Sequence, residues 1–447
     1  MDPGLSDPGS SPLTGRQLDR SIWRLAGPAL LTLAAEPLYL LTDTAIVGRL
    51  GTDALAGLAV ASALLLFVSG ACIFLTFGTA ATVARLRGAG DGDEAAALSI
   101  QALWLGLACG LACTVGLAVF AGPLVRLFGA GEAVADDALL YLRISLIGLP
   151  ALLVAMAGTG ALRGHLDTRT PLVVTVAANA VNLVLELALV FGLGWGLAGS
   201  AAGTVVAQWG AAAAYVVVVG RLAVGHPASR RPDRRRIRSL AVVARDLFIR
   251  TVALRSALTF STFLAARRGA TALAAFQIAF QWWTFLAYLL DALEAAAQSL
   301  VGQALGAADR RLARTTARRI MAWSVGGGAV LGAATLILRE PVAHLFTNDE
   351  AVIGVVATSL LWVGAMQPLN GAAFALDGVL VGAGDQRYLA RAMLASLAVL
   401  IAGGSLLLAT DTPLWGLWLT ITIFMASRVV ILGWRLRGRT WERTGAT

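Results

Sequence analysis

Leu103-Trp104-Leu105-Gly106-Leu107-Ala108-Cys109-Gly110-Leu111-Ala112-Cys113-Thr114-Val115-Gly116-Leu117-Ala118-Val119-Phe120-Ala121 contains no charged residue and lies inside an apolar run from 96 to 121. A helix rises about 1.5 Å per residue, so about 20 such residues cover the roughly 30 Å hydrocarbon core of a bilayer. The run is continuous rather than alternating and too long for a barrel strand, so it reads as a membrane-crossing helix. Working outward gives runs of the same kind at 22–48, 56–84, 138–162, 170–192 and 198–222, then at 246–266, 274–304, 319–338, 353–381, 389–410 and 414–435. The fold class that follows is an all-α integral membrane protein with twelve transmembrane helices.

Composition agrees. The 447 residues are 58% hydrophobic and 14% charged, where soluble domains carry roughly a quarter charged residues. The apolar character continues to about residue 434, which excludes a cleavable signal as its source. Residues 1–20, rich in Pro, Gly, Ser and Asp, read as a disordered tail. The net charge is +9 and every basic residue is arginine. These arginines sit in short gaps between apolar runs, not in a basic stripe interleaved with aromatics, so nucleic acid is not an expected partner. Cys72, Cys109 and Cys113 fall inside apolar runs and read as small buried hydrophobes. Three scattered histidines offer no metal or catalytic constellation, so neither an enzyme nor a cofactor is expected.

The arginines orient the chain. Arg85 and Arg87 follow the second run, Arg163 and Arg169 the fourth, and a segment from Arg230 to Arg238 the sixth. Arg310, Arg311, Arg314, Arg318 and Arg319 follow the eighth, and Arg387 and Arg391 the tenth; Arg435, Arg437 and Arg439 lie in the tail. The alternate gaps hold few: Arg49, Arg126, the pair Arg267 and Arg268, and Arg339. The positive-inside rule then puts both termini in the cytoplasm.

The second half repeats the first. Gly51-Thr52-Asp53-Ala54-Leu55-Ala56 matches Gly269-Ala270-Thr271-Ala272-Leu273-Ala274, and Pro123-Leu124-Val125-Arg126-Leu127-Phe128 matches Pro341-Val342-Ala343-His344-Leu345-Phe346, both at an offset of 218. Glu132, Pro150 and Asp167 match Glu350, Pro368 and Asp385 at that offset; Trp195-Gly196-Leu197 matches Trp415-Gly416-Leu417 at 220. Six crossings per half give two pseudo-symmetric six-helix lobes of the same orientation, an arrangement suited to rocking about a central cavity. The expected division is an N-lobe over 21–224, a cytoplasmic basic linker over 225–243, a C-lobe over 244–436 and a tail over 437–447.

Ionisable groups in the hydrocarbon are costly, at least about 2.5–3.5 kcal/mol each, and usually mark a pathway. The first run carries Glu36, Tyr39 and Asp43, with Pro28 and Pro37 as candidate hinges. The fifth carries Asn179, Asn182 and Glu186 on one helical face, and the sixth Thr204 and Gln208. Positions 43, 182 and 186 map onto Ser261, Ala402 and Leu406, so the second half lacks these groups. Burial disfavours a charged carboxylate and a neighbouring carboxylate disfavours it further, which suits Asp43 and Glu186 to proton carriage. Alternatively both ionise around Na⁺, with Asn182 and Thr204 adding neutral oxygens; the bland reading of those two is hydrogen bonding between helices. The second half has its own set: Asp291, Glu294 and Gln298 on one face, Asp377, and Arg255, which one of these acids would neutralise. Gln281 and Trp282, beside Gln277 and Trp283, are candidate walls for flat aromatic ligands.

Asp43-Thr44-Ala45-Ile46-Val47-Gly48-Arg49-Leu50-Gly51, Gly88-Ala89-Gly90-Asp91, and Asn182 to Glu186 followed by Gly192-Leu193-Gly194-Trp195-Gly196 resemble the motifs of the multidrug and toxic compound extrusion (MATE) family. Ala34-Ala35-Glu36-Pro37-Leu38, Tyr288-Leu289-Leu290-Asp291 and Val301-Gly302-Gln303-Ala304-Leu305-Gly306 resemble its DNA-damage-inducible F branch. The resemblance covers about 20–436. It implies secondary export of cationic or amphipathic small molecules, including drugs, driven by inward H⁺ or Na⁺. It also implies that Asp43, Asn182, Glu186 and Thr204 couple the cation, and that Pro28 falls where the first helix bends. Glu186 replaces the family's aspartate, and Gln298 stands where the branch has a glutamate. The alternative reading is a flippase for a lipid-linked precursor from the same wider superfamily. The expected setting is a bacterial plasma membrane, with the chain a monomer among membrane lipids.

Overall fold

The computed structural model describes residues 15–128, 131–226, 230–347, 349–410 and 412–445, with side chains except at 36–38 and 41. The described residues form helices and no strand. In chain order they are α1 (Gly15–Val47), α2 (Thr52–Ala71), α3 (Phe74–Gly88), α4 (Gly92–Leu127), α5 (Glu132–Ser145), α6 (Leu149–Gly164), α7 (Arg169–Leu187), α8 (Gly196–Leu222), α9 (Arg234–Ala266), α10 (Ala270–Gly306), α11 (Arg310–Phe346), α12 (Glu350–Ala365), α13 (Gln367–Gly382), α14 (Gln386–Leu408) and α15 (Leu414–Arg437). A π-helical turn, Ala188–Gly192, continues α7.

Among the described residues, nine segments are long and apolar enough to cross a bilayer, with α2 and α3 counted as one. The bent pairs α5–α6 and α12–α13, turned by 54° and 48°, raise the number to eleven. The twelfth crossing is α1. It is 33 residues long, and its stretch over 25–42 carries one charged residue, Glu36. Twelve crossings therefore match the expected all-α architecture.

The repeat is visible atom by atom. Asp91 caps α4 by accepting from Glu94 N at 3.0 Å, and Asp309 caps α11 by accepting from Leu312 N at 2.8 Å. Gly51 and Gly269, with φ of 131° and 96°, open α2 and α10. A methyl on Gly110 would lie 2.4 Å from Pro150 Cα, and one on Gly328 2.4 Å from Gln367 O, so both halves need the bare backbone where α4 meets α6 and α11 meets α13.

The chain divides into two compact units, Gly27–Ala244, and Arg245–Thr447 together with Met1–Ala26. The start of α1 therefore groups with the second unit, not with the expected N-lobe over 21–224. Leu18, Ile22, Leu25 and Ala26 are buried there, Asp19 accepts from Arg319 Nε and Nη2 and from Trp323 Nε1, and Trp23 meets Trp323 edge-on at 5.4 Å. The basic linker expected over 225–243 is helical from Arg234. Asp233 accepts from the backbone N–H of Arg235 and Arg236, and those bonds hold its carboxyl below the usual carboxylate range. The segment is strapped to α4: Gln101 donates to Arg231 O and accepts from Asp233 N, and Arg236 grips Glu94 at 2.9 and 2.7 Å. Residues 437–445 are also packed. Trp441 is buried, Glu442 takes both Nε and Nη2 of Arg314, and Gly445 N donates to Leu305 O.

Candidate functional site

In the unit Gly27–Ala244, α7 turns its polar stripe inward. Asn182 and Glu186 are 3% and 1% exposed, while Val181, Val184 and Leu187 face outward. Glu186 lies two residues before Ala188, the α7 C-cap and start of the π-helical turn, an irregularity frequent at functional sites. Asp43, near the end of α1, is 3% exposed and accepts from Ser200 Oγ on α8 at 2.8 Å. The Glu186 carboxyl stands against the Asp43 carboxyl and Ser200, so the two acids form one pair.

Around the pair lies a ring of hydroxyls and amides. Tyr39 OH and Thr204 Oγ1 are 3.0 Å apart, and Asn182 Nδ2 donates to Thr204 Oγ1 at 3.4 Å. Tyr141 on α5, 3% exposed, completes the ring beside Thr204 and Tyr39. Glycine makes the approach of α8 to α7 possible: a methyl on Gly203 would sit 3.3 Å from Glu186 N. Glu186 Oε1 and Asn182 Oδ1 are buried and accept no hydrogen bond from the described residues. Such unpaired oxygens in a dry setting are costly and suit a site that receives a proton or a cation.

The structure thus joins Asp43, Glu186, Asn182, Thr204 and Tyr39. Asn179 is half-buried, donating to Ala35 O at 3.3 Å. Gln208 is packed beside Gly148, with Oε1 buried and unpaired. The side chains of Glu36 and Pro37 lie outside the described residues. Pro28 sits within the continuous α1, its carbonyl bonded by Thr32 Oγ1 at 2.9 Å, one residue past Gly27, where the unit begins. Sequence reasoning missed Ser200 and Tyr141. The signal for Ser200 was its spacing, four residues before Thr204 on one face.

The other unit holds a second buried set. Asp377 on α13 takes Arg250 Nη2 and Arg428 Nη2 on one oxygen, and Glu294 lies 3.6 Å from Arg250. Asp291 lies close enough to Arg250 and Glu294 to act on their charges. Gln298 is buried on α10, whose backbone at that residue touches Gly382. The expected partner of these acids was Arg255. It is exposed, and Arg250 and Arg428 take its place. Trp282 is half-buried, donating to Thr335 Oγ1 at 3.1 Å beside Phe285, and Gln281 is exposed.

The MatE family model matches residues 28–188 and 248–405, one stretch in each unit. The chain belongs to the MatE family. MatE proteins are multidrug and toxic compound efflux transporters, and the chain is accordingly a multi-pass membrane transporter. It is 31% identical to "Protein DETOXIFICATION 44, chloroplastic" of Arabidopsis thaliana over 95% of its own length and 83% of the relative's. It is 28% identical to "DNA damage-inducible protein F" of Escherichia coli (strain K12), covering 95% and 94%. Its fold matches a MATE crystal structure in the bent conformation with a TM-score of 0.88 at 22% identity, over 96% and 97% of the two chains. It also matches a MOP superfamily transporter from Pyrococcus furiosus, with a TM-score of 0.84 at 22% identity over 96% and 98%.

Proposed function

We propose that this MatE protein exports cationic or amphipathic small molecules in exchange for inward-moving H⁺, by alternating access. The observation that carries the reading is the Asp43–Glu186 pair, two carboxyls side by side, with one Glu186 oxygen unpaired and no basic residue acting on them among the described side chains. Two carboxylates cannot both ionise cheaply away from water, so the pair holds a proton until it meets an aqueous face. Na⁺ is the alternative cargo, since Asp43, Glu186, Asn182 and Thr204 together offer carboxylate, amide and hydroxyl oxygens. The acidic pair favours a cationic substrate, which would compete with the proton for the same negative charge. The arginine bias supports cytoplasmic termini.

The test is uptake of a fluorescent organic cation into inverted vesicles, with pH and sodium gradients imposed one at a time. The expected result is transport driven by the pH gradient and lost in Asp43→Asn. Full activity of that variant, or drive by sodium alone, overturns proton coupling.

A further inference from the structure

Arg267 and Arg268 stand between α9 and α10, in one of the alternate gaps that are otherwise poor in arginine. Arg268 has a structural task. Its Nε donates to Thr412 O at 2.9 Å, Nη1 to Leu264 O at 3.1 Å and Nη2 to Leu407 O at 3.3 Å, which fixes the turn from α14 to α15. The Arg267 side chain is exposed and makes no hydrogen bond or ion pair with the described residues. It borders an open cavity of about 940 Å³ between the end of α9, the start of α10, α12 and the α14–α15 turn. Phe263, Leu407 and Leu414 give the cavity an apolar wall; Thr271 and Thr358 add hydroxyls. No acidic side chain lines it among the described residues; Asp411 lies outside them. Trp415, also lining it, stacks on Trp362 with centroids 6.5 Å apart, and tryptophans of this kind favour the headgroup level.

A cation with hydroxyls above an apolar wall, at the ends of membrane-crossing helices, matches a phosphate joined to acyl chains. We infer that this groove binds one anionic phospholipid, whose phosphate takes the Arg267 guanidinium while a chain lies along Phe263 and Leu414. The site lies within the second unit and is separate from both buried acid clusters.

Native mass spectrometry of the detergent-purified protein tests it, with added phosphatidylglycerol, diacylglycerol or glycerol phosphate. One phosphatidylglycerol is expected to remain bound, and Arg267→Gln should weaken its retention roughly five- to tenfold. Arg267→Lys should keep most of the binding, and the melting temperature of both variants should match the wild type, which separates lost binding from lost fold. Equal retention by Arg267→Gln overturns the assignment. So does equal retention of diacylglycerol, which would show that only chains are held. Competition by glycerol phosphate at the same concentration would mark a site for free phosphate esters and overturn the lipid as occupant.

Discussion

Arg428 donates from Nη2 to Asp377 Oδ2 at 2.5 Å, and that same oxygen takes Arg250 Nη2 at the same distance, while Asp377 Oδ1 is buried without a donor. One carboxylate oxygen therefore bonds two arginines, and Glu294, 3.6 Å from Arg250, is a second acid beside them. The offset that aligns Trp195 with Trp415 sets Arg428 opposite Gln208, and the earlier offset sets Asp377 opposite Thr159 and Glu294 opposite Thr76. The two halves thus share their glycine contacts and caps but place their charges at non-equivalent positions.

Asp377→Ala is expected to destabilise the protein by about 3–5 kcal/mol, because two buried arginines lose their partner. The replacement Arg250→Met, Glu294→Gln, Asp377→Leu, Arg428→Met, which removes two arginines together with two acids, should recover most of that loss. Thermal unfolding in detergent measures both. A single variant as stable as the wild type would mean the arginines reach water or another acid.

The twelve crossings, the repeat and the four residues Asp43, Asn182, Glu186 and Thr204 were legible because each is a local signal: an apolar run, a constant offset, a polar group at helical spacing. Partners across helices were not. Ser200 carried only its helical spacing to Thr204 as a signal, and Tyr141 reaches the site from α5 only through tertiary packing. Arg255 misled for a geometric reason. Five residues separate it from Arg250, about 140° around the helix, so membership of one run does not decide which of the two faces inward. The bends at α5–α6 and α12–α13 lie just before the paired Pro150 and Pro368, whose rings remove a donor and crowd the preceding turn.

The C-terminal segment over 437–447 reads as a tail from its composition, yet Trp441 is 2% exposed and donates to Leu436 O at 3.0 Å. Trp441→Ala should cost about 3–5 kcal/mol, seen as a lower melting temperature. Glu442→Gln should cost about 1 kcal/mol or less, since Arg314 is partly solvated. Equal stability of Trp441→Ala and the wild type would show the segment to be dispensable.

His165, just past the end of α6, contacts Ser99 Oγ through Nε2 at 3.1 Å, and its Nδ1 is buried without a partner. Burial, then the nearby Arg87 charge, pushes its pKa down to about 4 from 6.5. The unfolded chain therefore takes a proton that the folded one refuses, so stability is lost as pH falls from about 6.5 towards 4 and is unaffected by this group above that window. His165→Gln should flatten that part of the melting-temperature profile. An unchanged slope would assign the acid sensitivity to other groups.

Glu186 offers the sharpest test of coupling, because its carboxyl touches that of Asp43. Glu186→Gln keeps the size and removes the proton site. It should cut pH-driven export at least roughly a hundredfold, the low end of what a positioned proton-transfer group contributes to a rate, while leaving the melting temperature unchanged or higher, since a buried ionisable group is gone. Glu186→Asp keeps the proton site and shortens the arm, so partial export with the same ion dependence is expected. Glu340→Gln, on a side chain that is 68% exposed, serves as the neutral control. Export in Glu186→Gln equal to the control would show that the proton travels by other groups, and the carboxyl pair would then be a feature of packing alone.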